Sequence, residues 1–361
     1  IRDYHPRFSK LSEQEIHEAK FSLQDAQFTL ANEYGFASWP KLAAAIKSTS
    51  KQQLLFGASN RGDIEEVRKL INSYHFEKSE LNLPLARATC NMSGERANEY
   101  RACSDYLIDH GADVNGECGN DYGPIILSSC EFLNPEGIQY LIDRGASVQT
   151  AERVTRYPAT NTPMKMVLGT YDRRPDRKHR CLDILIEAGA NYEDGPVMDI
   201  HRGRYQDLQD RIIAKPELLR AHVNLEYGNH LTLHGVSLLH IAAEFNEKEC
   251  VDVLLDQGAD INHKAKIGKN GTGGQTALYH VIGGNQGRCY PLFKHLLTKG
   301  PALDVSACIQ SDVIIHPDKD HTYDEVLELT PLGYALRYEH EPGWHEASRE
   351  VAELRKLDAP I

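Results

Sequence analysis

Four histidines, His222, His230, His234 and His240, fall within nineteen residues. On a helix, His230 and His234 would lie one turn apart on one face, the spacing at which two imidazoles share a zinc ion. A working site needs further ligands, and the chain has no H-E-x-x-H helix and no pair of cysteines two residues apart. A second cluster, Arg173, Arg174, Arg177, Lys178, His179 and Arg180, could hold an anion. Asp172 and Asp176 are interleaved with it, so a solvated basic turn is the plainer reading. A third candidate, the run Gly268-Lys-Asn-Gly-Thr-Gly-Gly274, lacks the order of a phosphate loop and is followed by Thr276 without the required lysine. No G-x-S-x-G elbow or dinucleotide fingerprint occurs. Neither a metal nor a cofactor is expected, and no catalytic residue is assigned.

Composition narrows the partners. The 361 residues carry 40 basic and 52 acidic side chains, a formal charge of −12, which opposes binding to a phosphate backbone. No apolar run approaches a membrane span and no signal-peptide pattern opens the chain. The eight cysteines fall mostly inside expected helices, where reduced thiols act as small apolar fillers. A cytoplasmic, monomeric protein is the expectation. The first residue is Ile, so a processed form or fragment with a lost upstream segment is also expected.

The elements that would position such residues repeat. Gly111-Ala-Asp-Val-Asn115, Gly145-Ala-Ser-Val148, Gly189-Ala-Asn-Tyr192 and Gly258-Ala-Asp-Ile-Asn262 each follow an apolar run, at intervals of 34, 44 and 69 residues, and Gly300 follows after 42 more. Glycine there can take the left-handed backbone that ends a helix. Ser237-Leu-Leu-His240, Thr162-Pro-Met-Lys165, Thr276-Ala-Leu-Tyr279, Thr330-Pro-Leu-Gly333 and Gly123-Pro-Ile-Ile126 mark the matching helix starts. Ser or Thr caps the helix, and proline suits its first turn.

These motifs resemble the ankyrin repeat, a unit of about 33 residues with the pattern T-P-L-H-x-A. The resemblance is fullest at 237–262, good at 123–148 and 276–300, and covers roughly 52–361, with the unit at 196–224 resting mainly on spacing. It implies an all-α fold: an ankyrin-repeat α-solenoid of helix-turn-helix units with β-hairpin fingers, plus an N-terminal helical cap. The segment Tyr34-Gly-Phe-Ala-Ser-Trp-Pro-Lys-Leu42 is similar to one that precedes ankyrin arrays in many bacterial proteins, and Leu23–Tyr34 reads as a helix with Leu23, Ala26, Leu30 and Tyr34 on its apolar face. Expected domains are a cap at 1–50, a first array at 51–194 and a second at 195–361, with extended fingers at 264–274 and 310–329 and lengthened inter-helix turns at 91–102 and 171–180.

The resemblance further implies a concave face lined by the residues that end each first helix. Carried onto this chain, the partner-binding set is Glu131, Phe132, Tyr171, Glu244, Phe245, His280, Arg337 and Tyr338, with His240 as the bracing histidine of its unit. Aromatics with Arg suit an interface. The expected function is a non-enzymatic scaffold binding a protein partner through this groove. The alternative is a small-molecule or catalytic site in the same place, which a closed pocket of about 300 Å³ or more would favour.

Overall fold

The computed structural model describes residues 4–118, 123–149, 162–227, 231–310, 326–340 and 345–361. His230 and most of the expected finger at 310–329 lie outside them. The chain divides into two compact units, one of residues 1–88 and 96–113, the other of 89–95 and 114–361.

The first unit is helical: α1 (Glu13–Glu18), α2 (Leu23–Glu33), α3 (Trp39–Asn60), α4 (Ile64–Ser73), most of α5 (Asn82–Cys90) and α6 (Ala97–Asp109). Ser22 caps α2 by accepting the Asp25 N–H, and Asp63 caps α4 through the Glu66 N–H. The apolar face expected on α2 is not its buried one. Leu23, Leu30 and Tyr34 are exposed, whereas Thr29 and Ala31 are buried, and α2 packs on α3. One continuous α3 runs through residues 50 and 51.

The second unit is built from helix pairs. They are α7 (Ile125–Glu131) with α8 (Pro135–Asp143), α9 (Pro163–Gly169) with α10 (Pro175–Glu187), α11 (Pro196–His201) with α12 (Tyr205–Ala214), and α13 (Leu238–Glu244) with α14 (Lys248–Asp256). Next comes a 3-10 turn at Tyr279–Val281 with α15 (Tyr290–Thr298), and then α16 (Pro331–Leu336) with α17 (Ser348–Lys356). Two antiparallel hairpins intervene, β1 (Val223–Tyr227) with β2 (Leu231–Val236) and β3 (Ala307–Gln310) with β4 (Val326–Leu329). Gly273 bridges to Cys308, joining the 264–274 segment to β3.

Neighbouring pairs pack in register, α7 on α9, α11 on α13 and α12 on α14. A first helix is thus enclosed on several sides, and Leu238 through Ala243 of α13 are all buried. Thr162 and Thr330 cap α9 and α16 through the Lys165 and Gly333 N–H groups. Gly258, with φ +95°, ends α14 as its sequence predicts, and Gly111, Gly145, Gly189 and Gly300 share that left-handed backbone.

The helix expected to start at Thr276 is a correction. Only a 3-10 turn forms there, because the Tyr279 hydroxyl is anchored on the carbonyls of Val305 and Leu329, 2.7 Å each, and Gly283 turns the chain at φ +63°. No helix among the described residues is long and apolar enough to cross a membrane.

Candidate functional site

The ends of the first helices in the second unit converge on one cavity of about 800 Å³. Glu131 is the last residue of α7 and Phe132 follows it; Tyr171 follows α9; Glu244 is the last residue of α13. His280 comes from the 3-10 turn, and Tyr334 and Tyr338 from α16 and the turn after it. Leu233, Gln275 and Ile309 close the hairpin side.

Glu244 organises the wall. Arg173 holds its Oε1 and His280 Nδ1 lies 2.7 Å from its Oε2. Burial alone would raise the carboxyl pKa, but the Arg173 charge and the His280 hydrogen bond outweigh it and hold the group down to about 2. Glu244 is therefore ionised at neutral pH. The Nδ1 facing it must carry the proton of that hydrogen bond. The other ring nitrogen, Nε2, is buried and has no partner among the described residues.

A second buried network lies beside the first. Lys178 Nζ donates to the Leu168 carbonyl at 3.2 Å and to His201 Nδ1 at 2.8 Å, and His201 Nε2 donates to the Tyr227 hydroxyl at 2.8 Å. Burial pushes the pKa of Lys178 well down and does the same to His201. Phe245 sits among these groups, its ring 3.6 Å from Lys178 Nζ and 4.9 Å from the Arg173 guanidinium carbon. Cation–π attraction to Arg173 accounts for the inward turn of a ring expected in the groove.

Six of the eight predicted residues line the cavity: Glu131, Phe132, Tyr171, Glu244, His280 and Tyr338. Two do not. Phe245 is only 1 % exposed, and Arg337 caps the end of α16 with its guanidinium carbon 5.9 Å from the Tyr338 ring. The basic cluster at 173–180 is also corrected, since it is neither a solvated turn nor an anion site. Pro175 starts α10 at its first position, and the charges are consumed internally. Arg174 pairs with Asp172, Arg180 with Glu136 and His179 with Glu247, while Arg177 donates to the Leu133 carbonyl at 2.8 Å.

Sequence reasoning missed Arg173, Tyr279 and His345 as wall residues. Only Arg173 carried a signal, its place directly after the groove position Tyr171-Asp172. Cys289 lines the cavity too, but burial pushes its thiol up to about 12, so it is no nucleophile.

The histidines behave as hydrogen-bonding struts. His240 Nδ1 lies 2.7 Å from the Ser237 hydroxyl and Nε2 lies 2.8 Å from the Gln275 carbonyl, so the ring ties α13 to the next unit. His222 and His263 meet through their Nε2 atoms at 3.1 Å, and His234 is exposed on β2. Among the described residues no group of three or more His, Cys, Asp or Glu is placed to hold a metal ion.

Residues 234–266 match the family model of the ankyrin repeat, so α13, α14 and the glycine stop at 258 form a unit of that type. Among solved structures, the chain is similar to the crystal structure of the human ASB11 ankyrin repeat domain. Identity is 16 % and the TM-score 0.36, over 62 % of this chain and 89 % of that one. No curated protein matches the chain.

Proposed function

We propose that this protein is a non-enzymatic binding protein that receives a segment of a protein partner in the cavity formed by its first-helix ends. Ankyrin repeats generally mediate protein–protein interaction, and that supports a protein as the partner. The observation that carries the reading is the convergence of Glu131, Phe132, Tyr171, Glu244, His280 and Tyr338 on one cavity. Phe132 and Tyr171 are about half exposed at its rim, the usual situation of aromatic anchors in an unoccupied interface. In this reading the helix pairs form repeat arrays over 51–194 and 195–361, residues 1–50 cover an end, and the protein acts as a cytoplasmic monomer.

The test is selection from a displayed random-peptide library on the immobilised full chain, with counter-selection on the Phe132→Ala/Tyr171→Ala variant. Peptides that bind the parent and lose about ten-fold or more on the variant support the reading. Failure to enrich any such peptide rejects it.

A second reading has its own observation. A cavity of about 800 Å³ falls within the size of small-molecule sites. Mass spectrometry of the native protein, then of its denatured extract, distinguishes the two: a stoichiometric co-purifying compound supports the small molecule.

A further inference from the structure

Several donors of the cavity wall are already engaged: Arg173 on Glu244 and the Thr170 carbonyl, Asn285 Nδ2 on the Tyr171 carbonyl, and the Tyr279 hydroxyl between Val305 and Leu329. Glu131 and His280 are placed differently. The Glu131 carboxylate is exposed and makes no ion pair or side-chain hydrogen bond among the described residues; only its backbone carbonyl is used, by Thr170. His280 Nε2 is buried without a partner among the described residues, on a side chain 10 % exposed.

The charge that is left over is negative. Of the acidic lining residues Glu131, Asp172 and Glu244, Asp172 is paired with Arg174 and Glu244 with Arg173, so the uncompensated carboxylate is that of Glu131. Part of the wall is π surface. Tyr279, Tyr334, Tyr338 and His345 form a row with successive ring centroids 5.5, 5.3 and 5.7 Å apart. An uncompensated carboxylate and ring faces both attract a cation.

We infer that the cavity takes a cationic group, the ammonium or guanidinium of a lysine or arginine side chain presented by the partner. The head group pairs with Glu131 and lies against the tyrosine row. The inference rests on the proposal that a protein segment enters this cavity, and it names the chemistry of what enters.

The test uses the full chain with three pentapeptides, Gly-Gly-X-Gly-Gly, in which X is lysine, norleucine or glutamate. Calorimetry and saturation-transfer NMR read their binding. The lysine peptide should bind about ten-fold tighter than its neutral isostere, and added salt should weaken it. The glutamate peptide should be weakest. Glu131→Gln, at an exposed position that leaves the fold unchanged, should cut the lysine preference about three-fold or more.

Equal binding of lysine and norleucine, preference for glutamate, or no binding by any of the three overturns the inference. The two proposals fail separately. Library peptides that bind through the cavity but carry no basic residue sink the cation while the protein partner stands. A lysine peptide that binds when the library yields nothing leaves the cation site standing and removes the protein-segment reading.

Discussion

His280 Nδ1 lies 2.7 Å from one oxygen of Glu244 while Arg173 holds the other, so a single carboxylate orients both an imidazole and a guanidinium. The folded pKa of Glu244, about 2, lies below the ordinary carboxylate value. A carboxylate depressed in this way contributes stability that is present above its unfolded pKa and lost as pH falls toward the folded one. The contribution is on the order of 2–3 kcal/mol. Glu244→Gln should therefore be less stable than the parent at neutral pH, and the gap should narrow as pH falls below about 5. Urea unfolding of both proteins at several pH values measures it. A gap that stays constant would mean that the charge on Glu244 does no stabilising.

His240 gives linkage of the same sign from a group that is neutral, not charged, in the fold. Burial, with the nearby His280 adding to it, lowers its pKa to about 3, so the ring stays neutral in the fold while the unfolded chain protonates it near 6.5. The unfolded state then binds the extra proton, and stability falls as pH drops from about 6.5 toward 3. The slope approaches about 1.4 kcal/mol per pH unit from this one group. His240→Gln should flatten that limb of the stability–pH curve by up to one proton, besides weakening the tie to Gln275. An unchanged slope would count against the neutral, doubly bonded ring.

These two histidines also show what the sequence could and could not give. His240 was legible because Ser237-Leu-Leu-His240 is a local pattern and its main partners are Ser237 and the next loop. The positions of Glu131, Glu244 and Tyr338 were legible too, since each ends a first helix whose start and stop are marked by Ser, Thr, Pro or Gly. The Glu244–Arg173 pair was not, because the two residues are 71 positions apart and belong to non-consecutive helix pairs. Phe245 was misplaced for the same reason. Helical phase puts it near the groove, but Arg173, from another pair, attracts its ring inward, and Lys178 packs against it. Local periodicity reports which way a residue starts out, whereas distant charges decide where a mobile ring ends.

Leu254 and Phe132 separate the core from the cavity. Leu254 is 1 % exposed within the core of the second unit, so Leu254→Ala should cost about 2–4 kcal/mol through the cavity it leaves. Phe132 is 47 % exposed, and Phe132→Ala should change stability by less than about 1 kcal/mol while weakening partner or peptide binding. Tyr338 is a poorer probe, because it is half-buried and its ring packs edge-on to Tyr334. Thermal unfolding and binding measured on the same preparations check both variants. Equal destabilisation by the two would contradict the assignment of faces.

Gly137 tests the packing of α8 in the direction opposite to helix propensity. In a helix interior, alanine is favoured over glycine by about 1 kcal/mol, so on local grounds Gly137→Ala should stabilise. The tertiary structure reverses the sign. A Cβ at this position would lie 2.1 Å from the Thr89 carbonyl oxygen and 3.0 Å from the Ser129 hydroxyl. The obstructing atom is backbone, and Asn134 fixes that strand of chain by donating to the Cys90 carbonyl at 2.8 Å while accepting the Gly137 N–H at 2.9 Å. Relief would require α8 to move away from residues 89–90 and break this bridge, at a cost of about 2 kcal/mol or more. Gly137→Ala should therefore lower the unfolding midpoint even though it raises intrinsic helicity. A higher midpoint in chemical denaturation would show that α8 does not approach Thr89 this closely.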